Sequence, residues 1–156
     1  MTQDARFEDG REAPLNLGAL DAEDLKVISS LCQDAVFPAS EMKWQRGQAR
    51  FAILLNRIRW EDEGKTRHAP ERVQSVLMFE TVKGVASQGV PKGDSDTILS
   101  LLTIVFEETE APSGHILLNF AGDGALRLSV EAIEVTLKDV TKPYAAPSGK
   151  LPKHPD

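Results

Sequence analysis

Two arginines, one residue apart, are the side chains in this sequence best suited to bind an anion. They lie in the run Asn56–Glu61, directly after an apolar stretch. If the run is a strand, Arg57 and Arg59 share a face about 6.6 Å apart, a spacing at which two guanidinium groups can hold one anionic partner. Trp60 then points to the opposite side, into the interior. Alternatively, each arginine pairs with an acid on a neighbouring strand, such as Glu80, which contributes only about 0–1 kcal/mol at an exposed position.

The histidines and the single cysteine are too scattered to predict a metal centre. His68 falls in a polar loop, His115 at the start of a strand and His154 near the end of the chain. A metal centre needs several ligands that converge, so we expect hydrogen-bonding or surface histidines, no bound metal and no cofactor. The candidate ligand- or partner-binding residues are three arginines and one histidine: Arg50, Arg57, Arg59 and His115.

The sequence lacks the common patterns of catalytic residues. The run 122–124 (Gly-Asp-Gly) has no lysine and precedes an alternating segment instead of a helix, so it predicts a hairpin turn and not a phosphate loop. Cys32 lies on an apolar helical stripe, where a thiol packs as a small hydrophobic group. Glu107 and Glu108 are adjacent and point to opposite faces of a strand, so they are not expected to converge as an acid–base pair. No catalytic residue is predicted, and the interpretation leans against an enzyme.

One helix is predicted early in the chain. Asp21 is a suitable N-cap, and Asp24 adds an acid to the first turn, where the helix dipole favours it. Apolar residues then recur at intervals of three and four, which predicts a helix over about 22–35 that ends before Pro38. Its apolar stripe consists of Leu25, Ile28, Leu31, Cys32 and Ala35.

The rest of the chain follows a two-residue rhythm that predicts strands. They are expected over about 15–20, 42–44, 49–60, 72–82 or 72–85, 97–106, 115–120 and 126–137. Segment 97–106 is apolar on both faces and should be the central strand, covered on both sides. Residues 84–96 are predicted to form a loop. For 130–140 a helix also fits, but the Ile, Val and Thr content favours a strand. The apolar residues change from even-numbered to odd-numbered positions near 131–132, a change of parity that requires a bulge or bend there.

The strand over 49–60 has two unlike faces. The odd-numbered face is apolar at first and ends in Arg57 and Arg59, whereas the even-numbered face carries Ala52, Leu54, Ile58 and Trp60. We therefore expect the second half of this strand to be buried on its even-numbered face only, with the arginines toward solvent.

These elements predict one α+β domain. It should be a mainly antiparallel sheet of about six to eight strands, strongly curved or barrel-like, with the early helix packed on it. Residues 15–140 form the domain, between a flexible N-terminal extension (1–14) and a proline-rich flexible tail (141–156). The helix and central strand are expected to share a core of Leu25, Ile28, Leu31, Ile53, Leu101, Ile104 and Phe106.

Length and composition are those of an ordinary soluble domain. The chain has 156 residues, of which 41% are hydrophobic and 27% charged. Its longest apolar stretch, 98–106, is far shorter than the roughly 20 residues of a membrane-spanning helix, so no membrane association is expected. The lone cysteine and an N-terminus unlike a signal peptide predict a cytoplasmic location.

The charge is unevenly distributed. The net charge of −6 disfavours nucleic-acid binding, yet segment 43–72 contains eight basic and four acidic residues. This segment is a cationic island between acidic flanks.

Three blocks together resemble a known family. They are residues 24–35 (DLKVISSLCQDA), 50–61 (RFAILLNRIRWE) and 120–139 (FAGDGALRLSVEAIEVTLKD). The sequence resembles the uncharacterised bacterial domain-of-unknown-function family 2948, a family of short cytoplasmic proteins, over roughly residues 15–140. The resemblance implies no known activity, cofactor or catalytic residue.

Three functions follow as hypotheses. The leading one is a non-enzymatic binding or adaptor module that binds a protein partner or forms a homodimer through a sheet edge or face. The second is a binder of small anionic ligands, or an enzyme, with a pocket in the curved sheet that uses Arg57, Arg59 or His115. The third is nucleic-acid binding by segment 43–72, which the acidic flanks disfavour.

Overall fold

The structure is a computed structural model that describes residues 14–60, 71–91, 95–141 and 144–145. Its elements, in chain order, are β1 (Asn16–Ala19), α1 (Ala22–Leu31), β2 (Val36–Pro38), β3 (Met42–Gln45), β4 (Arg50–Ile58), β5 (Glu71–Phe79), β6 (Val82–Gln88), β7 (Ile98–Glu108), β8 (Gly114–Phe120), β9 (Ala125–Val130), β10 (Val135–Asp139) and β11 (Tyr144–Ala145). Single 3₁₀ turns flank β3, at Ala39–Glu41 and Arg46–Gln48.

All strand pairs are antiparallel. The strand order is β1-β10-β5-β4-β2-β7-β8-β9-β6, with β3 on β4 and β11 on β5. We call β1, β10, β5, β4 and β2, with β3 and β11, the first half-sheet, and β7, β8, β9 and β6 the second half-sheet. Strand β7 joins them, because its first residues pair with β2 and the rest pair with β8.

The chain crosses between the half-sheets twice more, at one corner. The turn from β5 to β6 lies beside the turn from β9 to β10, and two backbone hydrogen bonds link the turns. Glu80 N–H donates to Glu134 O (2.9 Å), and Glu131 N–H donates to Thr81 O (3.0 Å). The stretch that contains β5 and β6 and the stretch that contains β9 and β10 therefore each contribute one strand to both half-sheets.

The predicted antiparallel sheet with one early helix is confirmed, but the predicted strand number is wrong. Among the described residues there are eleven strands, and the sheet does not close, since β1 and β6 end the strand order. Two causes explain the difference. Short strands such as β2 have no clear sequence pattern, and at the corner each of two predicted strands is divided in two, one into β5 and β6 and the other into β9 and β10. The change of parity near 131–132 coincides with the second break, and both flanking segments are strands, as predicted.

Helix α1 begins as predicted and ends earlier. The side chain of Asp21 accepts a hydrogen bond from Asp24 N–H at 2.8 Å, the expected N-cap contact. The helix ends at Leu31 instead of 35, because residues 32–34 form a turn in which Asp34 has a φ of 66°. Within the described parts of the chain, no helix is long and apolar enough to span a membrane.

The core lies between the helix and the inner faces of both half-sheets. Five of the seven predicted core residues are buried, and Leu31 and Phe106 are half-buried and pack against the same cluster. The helix also protects the edge of β7, where Ser29 Oγ accepts a hydrogen bond from Ile104 N–H at 2.9 Å. The prediction that this strand is covered on both sides is wrong, because Val105 is 44% exposed.

Two turn predictions have opposite outcomes. The hairpin at 122–124 is confirmed: Gly122 and Asp123 have φ values of 85° and 73°, which glycine and aspartate tolerate best. The predicted loop over 84–96 is wrong in its first part, because residues 84–88 belong to β6 and pair with β9. The strand was not predicted because glycine, alanine and serine in this stretch have little intrinsic preference for strands.

Candidate functional site

The predicted anion-binding arginine Arg57 is buried inside the protein. It is 0% exposed and is the largest fully buried side chain among the described residues. Its guanidinium group grips the carboxylate of Asp139 on β10: Nη2 donates to Oδ1 at 3.0 Å and to Oδ2 at 3.1 Å, and Nε donates to Oδ1 at 3.2 Å. The expectation that this side chain faces solvent is therefore wrong.

Two further donors complete the surroundings of Asp139. Ser75 Oγ–H donates to Oδ1 at 2.7 Å, and the backbone N–H of Leu15 donates to Oδ2 at 2.8 Å. The carboxylate therefore connects β4, β5, β10 and the residue before β1. Two opposite charges removed from water are tolerated when their remaining hydrogen-bonding groups are satisfied, and this network meets that condition.

Arg59 and Arg50 are also paired with acids of the chain. Arg59 Nη1 donates to Glu71 Oε1 at 2.7 Å, and the arginine side chain is almost fully buried. Arg50 Nε lies 3.0 Å from Glu80 Oε2, in a pair that is partly exposed. Pairing with acids on neighbouring strands was the alternative to an anion site, but Glu80 pairs with Arg50 instead of with the two buried arginines.

The structure does not bring His115 together with the arginines. His115 lies on β8 in the second half-sheet, half-buried, opposite Glu107 on one side and Ser129 on the other. Arg57 lies in the first half-sheet, with its side chain in the interior. His68 and His154 lie outside the described residues. The described residues contain no group of three or more histidines, cysteines or acids placed to hold a metal.

In the parts of segment 43–72 that the structure describes, the cationic island does not form a continuous cationic surface. Two of its eight basic residues are buried in ion pairs, and Arg50 is paired. Arg72 Nη1 donates to the backbone oxygen of Asn56 at 3.3 Å. Lys43 and Arg46 are exposed, and Lys65 and Arg67 lie outside the described residues.

An apolar cluster on the outer face of the first half-sheet was missed from sequence. Strand register places Leu54 beside Val76 and Ala52 beside Met78. All four are half-buried, yet none belongs to the interior cluster or packs against it. We call these four residues the outer patch. The sequence signal was present, because the even-numbered face of 49–60 is apolar, but it was interpreted as the core-facing side.

Two lysines flank the outer patch on opposite sides. In one row across the sheet, Lys43 on β3 pairs with Ala52; in the next, Lys138 on β10 pairs with Val76. Both lysines are exposed. Helix α1 packs on the other side of the sheet, since its buried residues belong to the interior cluster. The outer patch is thus an apolar centre with a lysine on each of two opposite sides and the Arg50–Glu80 ion pair in the row beyond Ala52 and Met78.

Comparison with known proteins gives one match. No curated protein and no solved structure matches the chain. The family model described as "Protein of unknown function (DUF2948)" matches residues 15–154, which extends beyond residue 140, where the resemblance seen in the sequence stopped. Because the match spans most of the chain, the protein belongs to the DUF2948 family.

Proposed function

We propose that this protein is a non-catalytic protein-binding module, and that the outer patch holds an apolar, acidic segment of a partner protein. The observation that carries the proposal is the outer patch itself. Four apolar side chains from two adjacent strands form one cluster that is separate from the core. Contiguous apolar surface with a polar rim is typical of protein interaction sites.

The rim indicates the chemistry of the partner. Lys43 and Lys138 stand on opposite sides of the cluster. Carboxylates on a partner segment would meet these ammonium groups, while its apolar side chains cover Leu54 and Val76. Exposed charge pairs chiefly set orientation and association rate, and apolar burial supplies most of the affinity. Binding should therefore weaken with salt without being abolished by it.

The test is affinity capture with a matched pair of variants. Tagged wild-type protein, Val76→Lys and Val105→Lys are expressed in the cell from which the sequence derives, and the bound proteins are compared. Both valines lie on outer faces of strands, but only Val76 belongs to the outer patch. We expect a partner that the wild type and Val105→Lys retain and Val76→Lys loses. Urea denaturation confirms that both variants are folded.

A second variant tests the outer patch without changing its apolar residues, so that loss of binding is not caused by misfolding. Lys43→Glu combined with Lys138→Glu changes two exposed side chains and should reduce capture of the same partner while leaving stability nearly unchanged. Partners that bind all variants equally would refute the outer patch as the binding site. Thermal stabilisation by members of an anionic metabolite panel, with no patch-dependent partner, would support a small-molecule binder in its place.

A further inference from the structure

Strand β6 presents an edge that no other described strand pairs with. Its partner is β9, and β6 ends the strand order. Along an antiparallel pair, hydrogen-bonded and non-hydrogen-bonded residue pairs alternate. The hydrogen bond from Glu131 N–H to Thr81 O shows which residue pairs of β6 and β9 are hydrogen-bonded, and Ala86 with Arg127 is one of them. The backbone N–H and C=O groups of Val85 and Ser87 therefore point away from β9, along the edge.

The other strands at the margins of the sheet are short or covered. Strand β1 has four residues, and Ser29 of the helix binds the edge of β7 at Ile104 N–H. On β6, three features oppose pairing along the edge, and all lie at its start: a register shift, Lys83, and the hydrogen bond that Val82 N–H donates to Ala49 O at 2.8 Å. Residues 86–88 beyond them are exposed and uncharged. Such an edge is a template for another strand.

Gly84 lies at the register shift between β6 and β9, where a bulge can itself account for a glycine, and the space above it is open. Its φ lies outside the left-handed region, and a Cβ added there would meet nothing within 4 Å. Glycine in a strand interior often marks a bulge or a close approach of another backbone. The space beside Gly84 is therefore available to a second chain.

We propose that a second copy of this chain pairs antiparallel along β6, about a two-fold axis that passes beside Ala86. Val85 of each copy would exchange backbone hydrogen bonds with Ser87 of the other, which gives four bonds in all. Ala86 would face Ala86 across the axis, in the closer type of antiparallel pair, where a small side chain fits. Gln88 would lie opposite the open space at Gly84.

Charge and surface continuity favour a second copy as the occupant. In this register Lys83 lies opposite Gly89 of the second copy, so no like charges meet. Across each second half-sheet a row runs from Val105 through Leu117 and Arg127 to Ala86. Beside Ala86, Leu117 and Arg127 line an open groove of about 320 Å³. The two-fold axis joins the two rows into one strip across the dimer.

The size of this contact predicts a weak dimer. Stable dimers bury about 800 Å² per partner, and one short strand pair with its flanking side chains lies below that size. We expect a dissociation constant in the micromolar range. Sedimentation velocity of the full chain from about 1 µM to about 500 µM should show monomer converting to dimer as concentration rises.

A proline substitution tests the backbone pairing. Ser87 N–H points away from β9, so Ser87→Pro removes no bond within the monomer and two bonds from the dimer. We expect the dissociation constant to rise more than about tenfold. Ser87→Ala, the control, should dimerise like the wild type. Circular dichroism checks that the proline variant keeps its sheet.

A charge swap tests the axis. Ala86→Lys places two lysines opposite each other, each beside Arg127 of its own copy, and should dimerise about fivefold more weakly than the wild type. Ala86→Glu places each glutamate beside Arg127 of its own copy, so an equimolar mixture of the two variants should form heterodimers more strongly than Ala86→Lys forms homodimers. A wild type that stays monomeric to about 500 µM, or a dimer unaffected by Ser87→Pro, would overturn the proposal. Val76→Lys should leave the dimer intact, so this result is independent of the proposed function.

Discussion

The buried ion pair Arg57–Asp139 should be the most sensitive polar feature of the protein. Both side chains are almost completely excluded from solvent. Asp139→Asn leaves the arginine charge buried without its counter-charge, so we expect the free energy of unfolding to fall by about 3–5 kcal/mol. Urea denaturation measures it. The partly exposed pair Arg50–Glu80 offers the control: Glu80→Gln should lower the free energy of unfolding by less than Asp139→Asn does, by about 1 kcal/mol.

The double variant Arg57→Met with Asp139→Leu separates the penalty of an unpaired charge from the net value of the pair. Replacing both members of a buried pair by apolar groups is often neutral or stabilising. We therefore expect the double variant to be more stable than Asp139→Asn. A double variant as unstable as Asp139→Asn would show that the pair itself stabilises the fold.

At the scale of elements, one side chain ties the helix to the sheet. Ser29 Oγ accepts the hydrogen bond from Ile104 N–H, and Ile104 is buried. Ser29→Ala should leave this N–H without its acceptor and lower the free energy of unfolding by about 1–3 kcal/mol. Ser30→Ala is the matched control, because Ser30 is exposed and bonds only to Val27 O in its own helix. Equal losses in the two variants would contradict this role.

The elements also show what the sequence can predict. The helix, its cap and the hairpin depend on neighbouring residues, and their patterns were correctly interpreted. The inward face of β4 depends on Asp139, which is 82 residues further along the chain than Arg57. Local hydrophobicity favoured the opposite face, which carries the outer patch. A rhythm of two residues therefore predicts a strand without stating which side is buried.

The same limit applies to charge and to strand β6. The basic residues of segment 43–72 form one cationic stretch in the sequence, but folding buries Arg57 against Asp139, 82 residues away, and Arg59 against Glu71 of the same segment. Strand β6 carries glycine, alanine and serine, which have little intrinsic preference for strands, and it forms by pairing with β9. Pairing with other strands determines both features, and local composition does not reveal it.

At the scale of the whole molecule, the shared corner predicts one cooperative unit. Strands β5 and β10 of the first half-sheet continue directly into β6 and β9 of the second. Neither half-sheet can unfold without disturbing the chain segments of the other. We therefore expect a substitution that destabilises the first half-sheet to lower the free energy of unfolding of the second half-sheet by the same amount.

Ser75→Ala tests this coupling. It removes a buried donor to Asp139, deep in the first half-sheet, and should lower the free energy of unfolding by about 1–2 kcal/mol. Native-state hydrogen exchange of the slowest amides in β4 and in β8 should report the same decrease, because both exchange by global unfolding. A decrease confined to β4 would mean that the half-sheets open separately. Coincident urea transitions by tryptophan fluorescence and far-ultraviolet circular dichroism should accompany the uniform decrease, because two-state unfolding makes all probes report one equilibrium.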